Sequence, residues 1–271
     1  VPGFDDDLRL AHVLADAVER TALDLFGSLG AGTSIDPHGV LTTDASARVE
    51  ELLRHQLHRT RPRDRVEGRV GEATGHGDRR WVLDGLDGTA NYVRGVPVWA
   101  TLIALVVEDE AVLGLVAAPS LSRRWWAGRG SGAWTGRTLS RARRVHVSGT
   151  AVLDHASVSA DDLGRWQDGP LGAGFAEVAR RSWRTRAFGD FWSHCLVAEG
   201  AADVALAAPV DALQLAALAP VVEEAGGRLT DVRGRPVPLA AGGGAEAVVT
   251  SNGVLHHEVL EVLAGAPARL G

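Results

Sequence analysis

From residue 5 to residue 29, apolar side chains recur at three- and four-residue steps. Leu8, Ala11, Leu14, Ala15, Val18, Ala22, Leu25 and Phe26 share one face, with Gly27 and Gly30 behind them. That period predicts an amphipathic helix closed by glycine. Residues 44–59 repeat it, with Val49, Leu52, Leu53 and Leu57 on one side. Residues 81–83 form a short apolar run ending at two aspartates, which predicts a buried strand delivering them to a loop. Residues 98–107 and 111–118 predict two strands joined by Glu108-Asp109-Glu110, and residues 124–127 and 132–134 continue a meander. Further strands are expected at 145–147, 152–158, 203–207 and 248–250. Helices are expected at 190–199 up to Gly200, at 214–224 stopped by Gly226-Gly227, and at 252–263. Residues 75–78 and 241–244 read as loops.

Helices and antiparallel-looking strands in alternating blocks predict a layered α/β or α+β fold. No Pro/Ser-rich linker and no internal repeat divides the chain. It reads as one unit whose halves are 1–145, carrying the aspartates, and 146–271. At 271 residues and 45% hydrophobic, it can bury one large core or two fused halves.

Composition narrows the chemistry. The chain carries 28 basic and 34 acidic residues with 10 His, for a net charge of −6, a balance that gives no footprint for nucleic acid or an anionic membrane. No apolar run approaches the roughly 20 residues of a membrane helix. All 28 basic residues are Arg, which excludes Schiff-base chemistry and a lysine general base. The one cysteine, Cys195, precludes an intrachain disulfide. The acidic start lacks the form of a signal peptide, so a cytoplasmic location is expected. With no Met in the chain, a trimmed or replaced N-terminus is also expected.

The run Trp81-Val82-Leu83-Asp84-Gly85-Leu86-Asp87-Gly88-Thr89-Ala90-Asn91-Tyr92 concentrates the candidate chemistry. Two carboxylates three residues apart can hold a divalent cation. Gly88-Thr89 behind them can offer backbone N–H groups to a phosphate. This run resembles the signature of the inositol monophosphatase family. Arg94-Gly95-Val96-Pro97, Arg123-Arg124-Trp125-Trp126-Ala127, Gly189-Asp190-Phe191-Trp192-Ser193 and Glu223-Glu224-Ala225-Gly226-Gly227 extend the likeness over residues 43–257. In detail it is similar to the histidinol-phosphate phosphatase-like branch. The resemblance implies a five-layered αβαβα sandwich, a homodimer, and Mg²⁺-dependent hydrolysis of a small phosphate monoester.

It also implies a ligand set that is only partly present. Asp84, the Leu86 carbonyl, Asp87 and the water-orienting Thr89 match the family pattern. Arg69 stands where a metal-binding glutamate is implied, Gln214 where the last metal aspartate is implied, and Ser46 where the water-activating acid is implied. Ala207 takes the place of a substrate-contacting glutamate, and Gly85 that of the motif's usual proline. The first three replacements remove carboxylates and add a guanidinium, and Mg²⁺ needs hard oxygen donors. The expectation is that Arg69 replaces a metal, with its guanidinium directed at Asp84 or Asp87. No cofactor is then expected; the alternative is a weakly held Mg²⁺ on Asp84, Leu86 and Asp87.

Other residues have plain readings. Asp44, Glu67, Glu72 and Asp211 are chance acidic neighbours of the replaced positions. His194 is a packed or surface side chain, Cys195 a small hydrophobe, and Asp190 a helix cap as readily as a ligand contact. His55, His58, His256 and His257 are expected to be solvated, and Trp125 and Trp126 to serve packing. The function expected from these readings is a metal-independent cyclase, isomerase, lyase or dehydratase acting on a small polar metabolite. Asp84, Asp87 and Thr89 would be catalytic, and Gly88, Thr89, Arg69, Asp190, Gln214 and Ser46 would contact substrate or anion. The alternatives are a Mg²⁺-dependent phosphatase of histidinol phosphate or a related monoester, and a non-catalytic pseudophosphatase that binds a metabolite or partner. In the two enzymatic readings the partner is a small-molecule substrate, with phosphorylation an open option.

Overall fold

The computed structural model describes residues 4–27, 32–35, 41–239 and 243–265. The helix stop assigned to Gly30 and part of the loop at 241–244 lie outside the described residues, as does the start of the chain. The chain divides into two compact units. One comprises Val1–Arg144 with Leu213–Val221, the other Val145–Ala212 with Val222–Gly271.

In the first unit, α1 (Asp5–Asp24) opens with Asp5, Asp6 and Asp7, whose charges suit the positive end of a helix, and buries Ala11, Leu14, Ala15, Val18 and Ala22. The short strands β1 (Thr33–Ile35) and β2 (Leu41–Thr43) pair antiparallel. Thr43 is extended, and its side-chain oxygen accepts the Ser46 N–H at 3.0 Å, capping α2 (Asp44–Thr60). A seven-stranded sheet follows in chain order. Its first pair, β3 (Arg65–Glu67) and β4 (Arg79–Asp87), is parallel. After α3 (Thr89–Val93) come β5 (Ala100–Val107), β6 (Glu110–Ala118), β7 (Arg123–Gly128), β8 (Ala133–Gly136) and β9 (Ala142–Val145). Pairing from β4 through β8 is antiparallel. α2 packs on α1 and on β4. Trp81, Trp99 and Tyr92 fill the core between them, the Tyr92 and Trp99 rings meeting edge-on at 4.9 Å.

The second unit holds a five-stranded sheet. Its elements are β10 (Ser157–Ala160), α4 (Leu163–Asp168), α5 (Gly172–Arg181), β11 (Arg184–Arg186), α6 (Asp190–Ala198), β12 (Val204–Ala207), β13 (Val210–Asp211), α7 (Ala212–Glu224), β14 (Arg228–Asp231), β15 (Gly244–Ala245), β16 (Val248–Ser251) and α8 (His256–Gly265). The sheet order is β11-β10-β12-β16-β14, with β10 parallel to both neighbours and β16 antiparallel to both of its own. Gly226, at φ +90°, ends α7: its N–H reaches Glu223 O and that of Gly227 reaches Val222 O, both at 2.9 Å. The early part of α7, residues 213–221, belongs to the first unit. There it lies against β6, where a Cβ on Gly114 would stand 2.1 Å from the Ala217 carbonyl oxygen.

Several expectations are corrected. The strand expected at 81–83 runs through Asp87, so both aspartates sit on a strand whose register shifts between them. Residues 153–155 form a 3₁₀ turn ahead of β10, in place of a strand over 152–158. α1 stops at Asp24 and α8 begins at His256. α4, β11 and β14 are too short to carry a periodic signal and were not anticipated; α5 was also missed, although Gly174, Phe175 and Val178 mark its buried face. His256 is buried, bonded through its two ring nitrogens to Ser251 at 2.8 Å and Thr230 at 2.9 Å. His257 is exposed, as expected. His194 is a packed residue, its Nδ1 2.8 Å from the Thr250 hydroxyl, and Cys195 is buried. Among the described residues, no helix is long and apolar enough to cross a membrane.

Candidate functional site

The site lies in the first unit, at the C-terminal end of β4. Asp84 is 1% exposed, and both of its oxygens are occupied. Nε and Nη2 of Arg69 donate to Oδ2 at 3.1 and 2.9 Å, while the Leu86 N–H donates to Oδ1 at 3.2 Å. Asp87 accepts a hydrogen bond on Oδ1 from the Gln214 amide, carried in by α7. The Thr89 hydroxyl donates to the Leu86 carbonyl at 2.8 Å, and the Thr101 hydroxyl to the Gly85 carbonyl at 3.0 Å. Gly88, at φ +76°, turns the chain from β4 into α3, a backbone state that costs glycine nothing. Arg69, Asp84, Leu86, Asp87, Gly88, Thr89 and Gln214 thus form one constellation.

Ser46 joins it through its backbone. A Cβ at Gly85 would carry a hydrogen atom into the Ser46 carbonyl oxygen, 2.5 Å away, so α2 can lie this close to β4 only over glycine. The replacement of the family's proline therefore has a local steric reason. Asp190 belongs to the second unit. It is the first residue of α6 and has a left-handed backbone at φ +48°, but Gly189, not its side chain, occupies the cap position. Ala207 is buried in β12. Glu67 points elsewhere, ion-paired with Arg65 and Arg80 at 2.6 and 2.8 Å.

One residue of the site went unread in the sequence. Glu50, on α2, is fully buried and accepts the backbone N–H of Arg69 at 3.0 Å and that of Val70 at 3.0 and 3.1 Å. Arg54, one turn on, donates Nε to the same carboxylate at 2.9 Å. Burial pushes the Glu50 carboxyl above the ordinary glutamate range; Arg54 and the Val70 N–H oppose that shift, and the charge of Asp84 adds to it. A legible signal existed. Ser46, Glu50, Leu53 and Leu57 recur at helical steps, so a charged residue falls within the stripe that α2 buries.

The metal implied by the resemblance can be tested against these donors. A guanidinium rests on Asp84, an amide N–H on Asp87, and a hydroxyl hydrogen on the Leu86 carbonyl. Among the described residues, no group of three or more His, Cys, Asp or Glu side chains gathers to hold a metal ion. One carboxylate neutralised by a fixed cation and a second engaged by an amide do not fit a clamp of divalent ions.

Comparison with known proteins corrects the expected reaction. The chain is 46% identical over 267 residues to the histidinol-phosphatase of Streptomyces coelicolor, covering 97% of this chain and 98% of the relative. It is 46% identical over 256 residues to the histidinol-phosphatase of Mycobacterium tuberculosis, covering 94% and 96%. Likeness of this extent overturns the expected metal-independent cyclase, isomerase, lyase or dehydratase, and gives no support to a pseudophosphatase. Among solved structures, the Thermotoga maritima IMPase superposes with a TM-score of 0.84 at 25% identity, over 96% of this chain and 98% of that one. The suhB protein of Bartonella henselae gives 0.86 at 22% identity, over 97% and 100%, a likeness of fold. The pattern of the inositol monophosphatase family itself matches residues 11–266, and it is to this family that the chain belongs.

Proposed function

We propose that the protein hydrolyses a small phosphate monoester, histidinol phosphate. The observation that carries this reading is the 46% identity to a histidinol-phosphatase along almost the whole of both chains. The geometry is compatible with roles for its own side chains. Hydrolysis of a phosphate monoester needs positive charge near the phosphoryl oxygens and a group that orients or deprotonates the attacking water. In this reading Arg69 supplies the charge, tethered by Asp84. Asp87, its carboxylate oriented by Gln214, receives the proton from water as the P–O bond to the alcohol breaks, and returns it to the departing alcohol oxygen. Thr89 and Thr101 hold the two carbonyls between the aspartates, keeping the bend of β4 rigid.

The test is inorganic phosphate release by the purified chain from histidinol phosphate, an inositol monophosphate and p-nitrophenyl phosphate. Each is measured after EDTA treatment and again with added Mg²⁺. The expected result is a kcat/KM for histidinol phosphate at least tenfold above the other two, falling at least a hundredfold in Asp87→Asn. No phosphate release from any monoester under either condition would overturn the reading.

A further inference from the structure

We infer that Glu50 is the positioning residue of this site: its buried carboxylate holds the 68–70 loop so that the Arg69 guanidinium falls on Asp84. Three observations converge. Glu50 accepts the backbone N–H groups of both Arg69 and Val70, which fixes the peptide planes on either side of the Arg69 Cα. Arg54, which shares that carboxylate, sends Nη1 to the carbonyls of Val66 and Glu72 at 3.3 Å each, bracing the loop on both flanks. Gly68 lets the carboxylate in, since a Cβ there would stand 2.2 Å from Oε1 of Glu50. A loop held at both flanks and at its middle by two side chains one turn apart on α2 has little freedom in where it aims its arginine.

The energetics fit a device that is retained for position. A buried carboxylate carries a desolvation cost, offset here by two amides and a guanidinium. It also stands near enough to Asp84 for their charges to repel. A Glu–Arg pair placed only for stability would be replaceable by apolar residues. Glu50 itself touches neither substrate nor reacting atoms and acts through Arg69.

The effect on turnover rests on the phosphatase reading; the effect on Arg69 does not, and the experiment separates them. In the full chain labelled with ¹⁵N, the Arg69 Nε–H resonance is assigned by its loss in Arg69→Lys. It is then followed in Glu50→Gln and Gly68→Ala, with thermal unfolding recorded for each. The expected result is an Arg69 Nε–H moved toward the free-arginine position, with at least tenfold faster solvent exchange in both variants. A matching tenfold or greater loss of kcat for phosphate release is expected, with KM less affected. Gly68→Ala leaves the α2 sequence intact and so reports if Glu50→Gln fails to fold. An Arg69 resonance unchanged in a folded variant overturns the inference. A wild-type chain that releases no phosphate overturns only the activity reading, and the resonance still judges Glu50.

Discussion

Two nitrogens of Arg69 converge on a single oxygen of Asp84, at 3.1 and 2.9 Å, with side chains 9% and 1% exposed. The pair is sheltered, so its members are energetically coupled: each charge is tolerable only in the presence of the other.

Arg69→Ala therefore leaves a buried carboxylate without its cation. Urea denaturation is expected to show a loss of about 3 kcal/mol. Asp84→Asn added to that variant should restore a large part of it, because the stranded charge is then gone. Equal stability of wild type and Arg69→Ala would show that the pair is not coupled.

Restoring carboxylates should restore affinity for a hard cation. In Arg69→Glu/Gln214→Asp, four acidic side chains face one another where a guanidinium and an amide now compensate two. Without metal this variant is expected to be less stable than wild type. Its Mg²⁺ dependence in a thermal-shift titration should have a midpoint at least tenfold lower than that of wild type. An identical titration for the two proteins would contradict the donor-set reasoning.

Gly114 sets the seat of α7 and, through it, Gln214. Because a Cβ there would stand 2.1 Å from the Ala217 carbonyl oxygen, Gly114→Ala must push backbone, which a rigid helix cannot absorb locally. A destabilisation of about 2 kcal/mol or more is expected. Phosphate release should fall with it, as the Gln214 contact to Asp87 is lost. A variant with wild-type stability and turnover would disprove this placement of α7.

Acid should weaken the fold through its buried histidines. Burial pushes His194 down to about 4; for His256, burial and then the charge of Arg228 do the same. An unfolded histidine titrates near 6.5, so between roughly pH 6.5 and pH 4 the unfolded chain binds more protons. Stability contributed by these residues is whole above that window and is lost as pH falls through it. Asp161, raised to about 6 chiefly by burial, works in the opposite sense between roughly pH 4 and 6, since the folded chain then binds the extra proton. Denaturation of wild type and His194→Gln at pH 7 and pH 5 is the check. The wild type is expected to lose about 1 kcal/mol or more beyond what the variant loses.

Local rules made much of the scaffold readable. The three- and four-residue recurrence of apolar positions marks α1 and α2, because a helix face is determined by neighbours a few residues away, and the Gly226-Gly227 stop marks the end of α7. Contiguous apolar runs about the polar Glu108-Asp109 turn mark β5 and β6 for the same reason. Asp84, Asp87, Gly88 and Thr89 were legible as site residues because they are adjacent in the chain. The short α4 and the strands β11 and β14 were not, since their few residues carry too little periodicity to separate from loop.

The amino-acid order alone thus determined the family, the main helices and strands, and the residue types gathered in the aspartate motif. The family resemblance directed Arg69 at Asp84 or Asp87, and tertiary structure chose Asp84, 15 positions away. Tertiary structure alone brought Gln214 to Asp87 across 127 positions, a distance over which no local pattern specifies contact. The placement of Glu50 was likewise decided by packing. Its carboxylate reaches the Arg69 loop only because α2 crosses β4 at Gly85 and the loop offers Gly68, and such close approach is a property of the folded core.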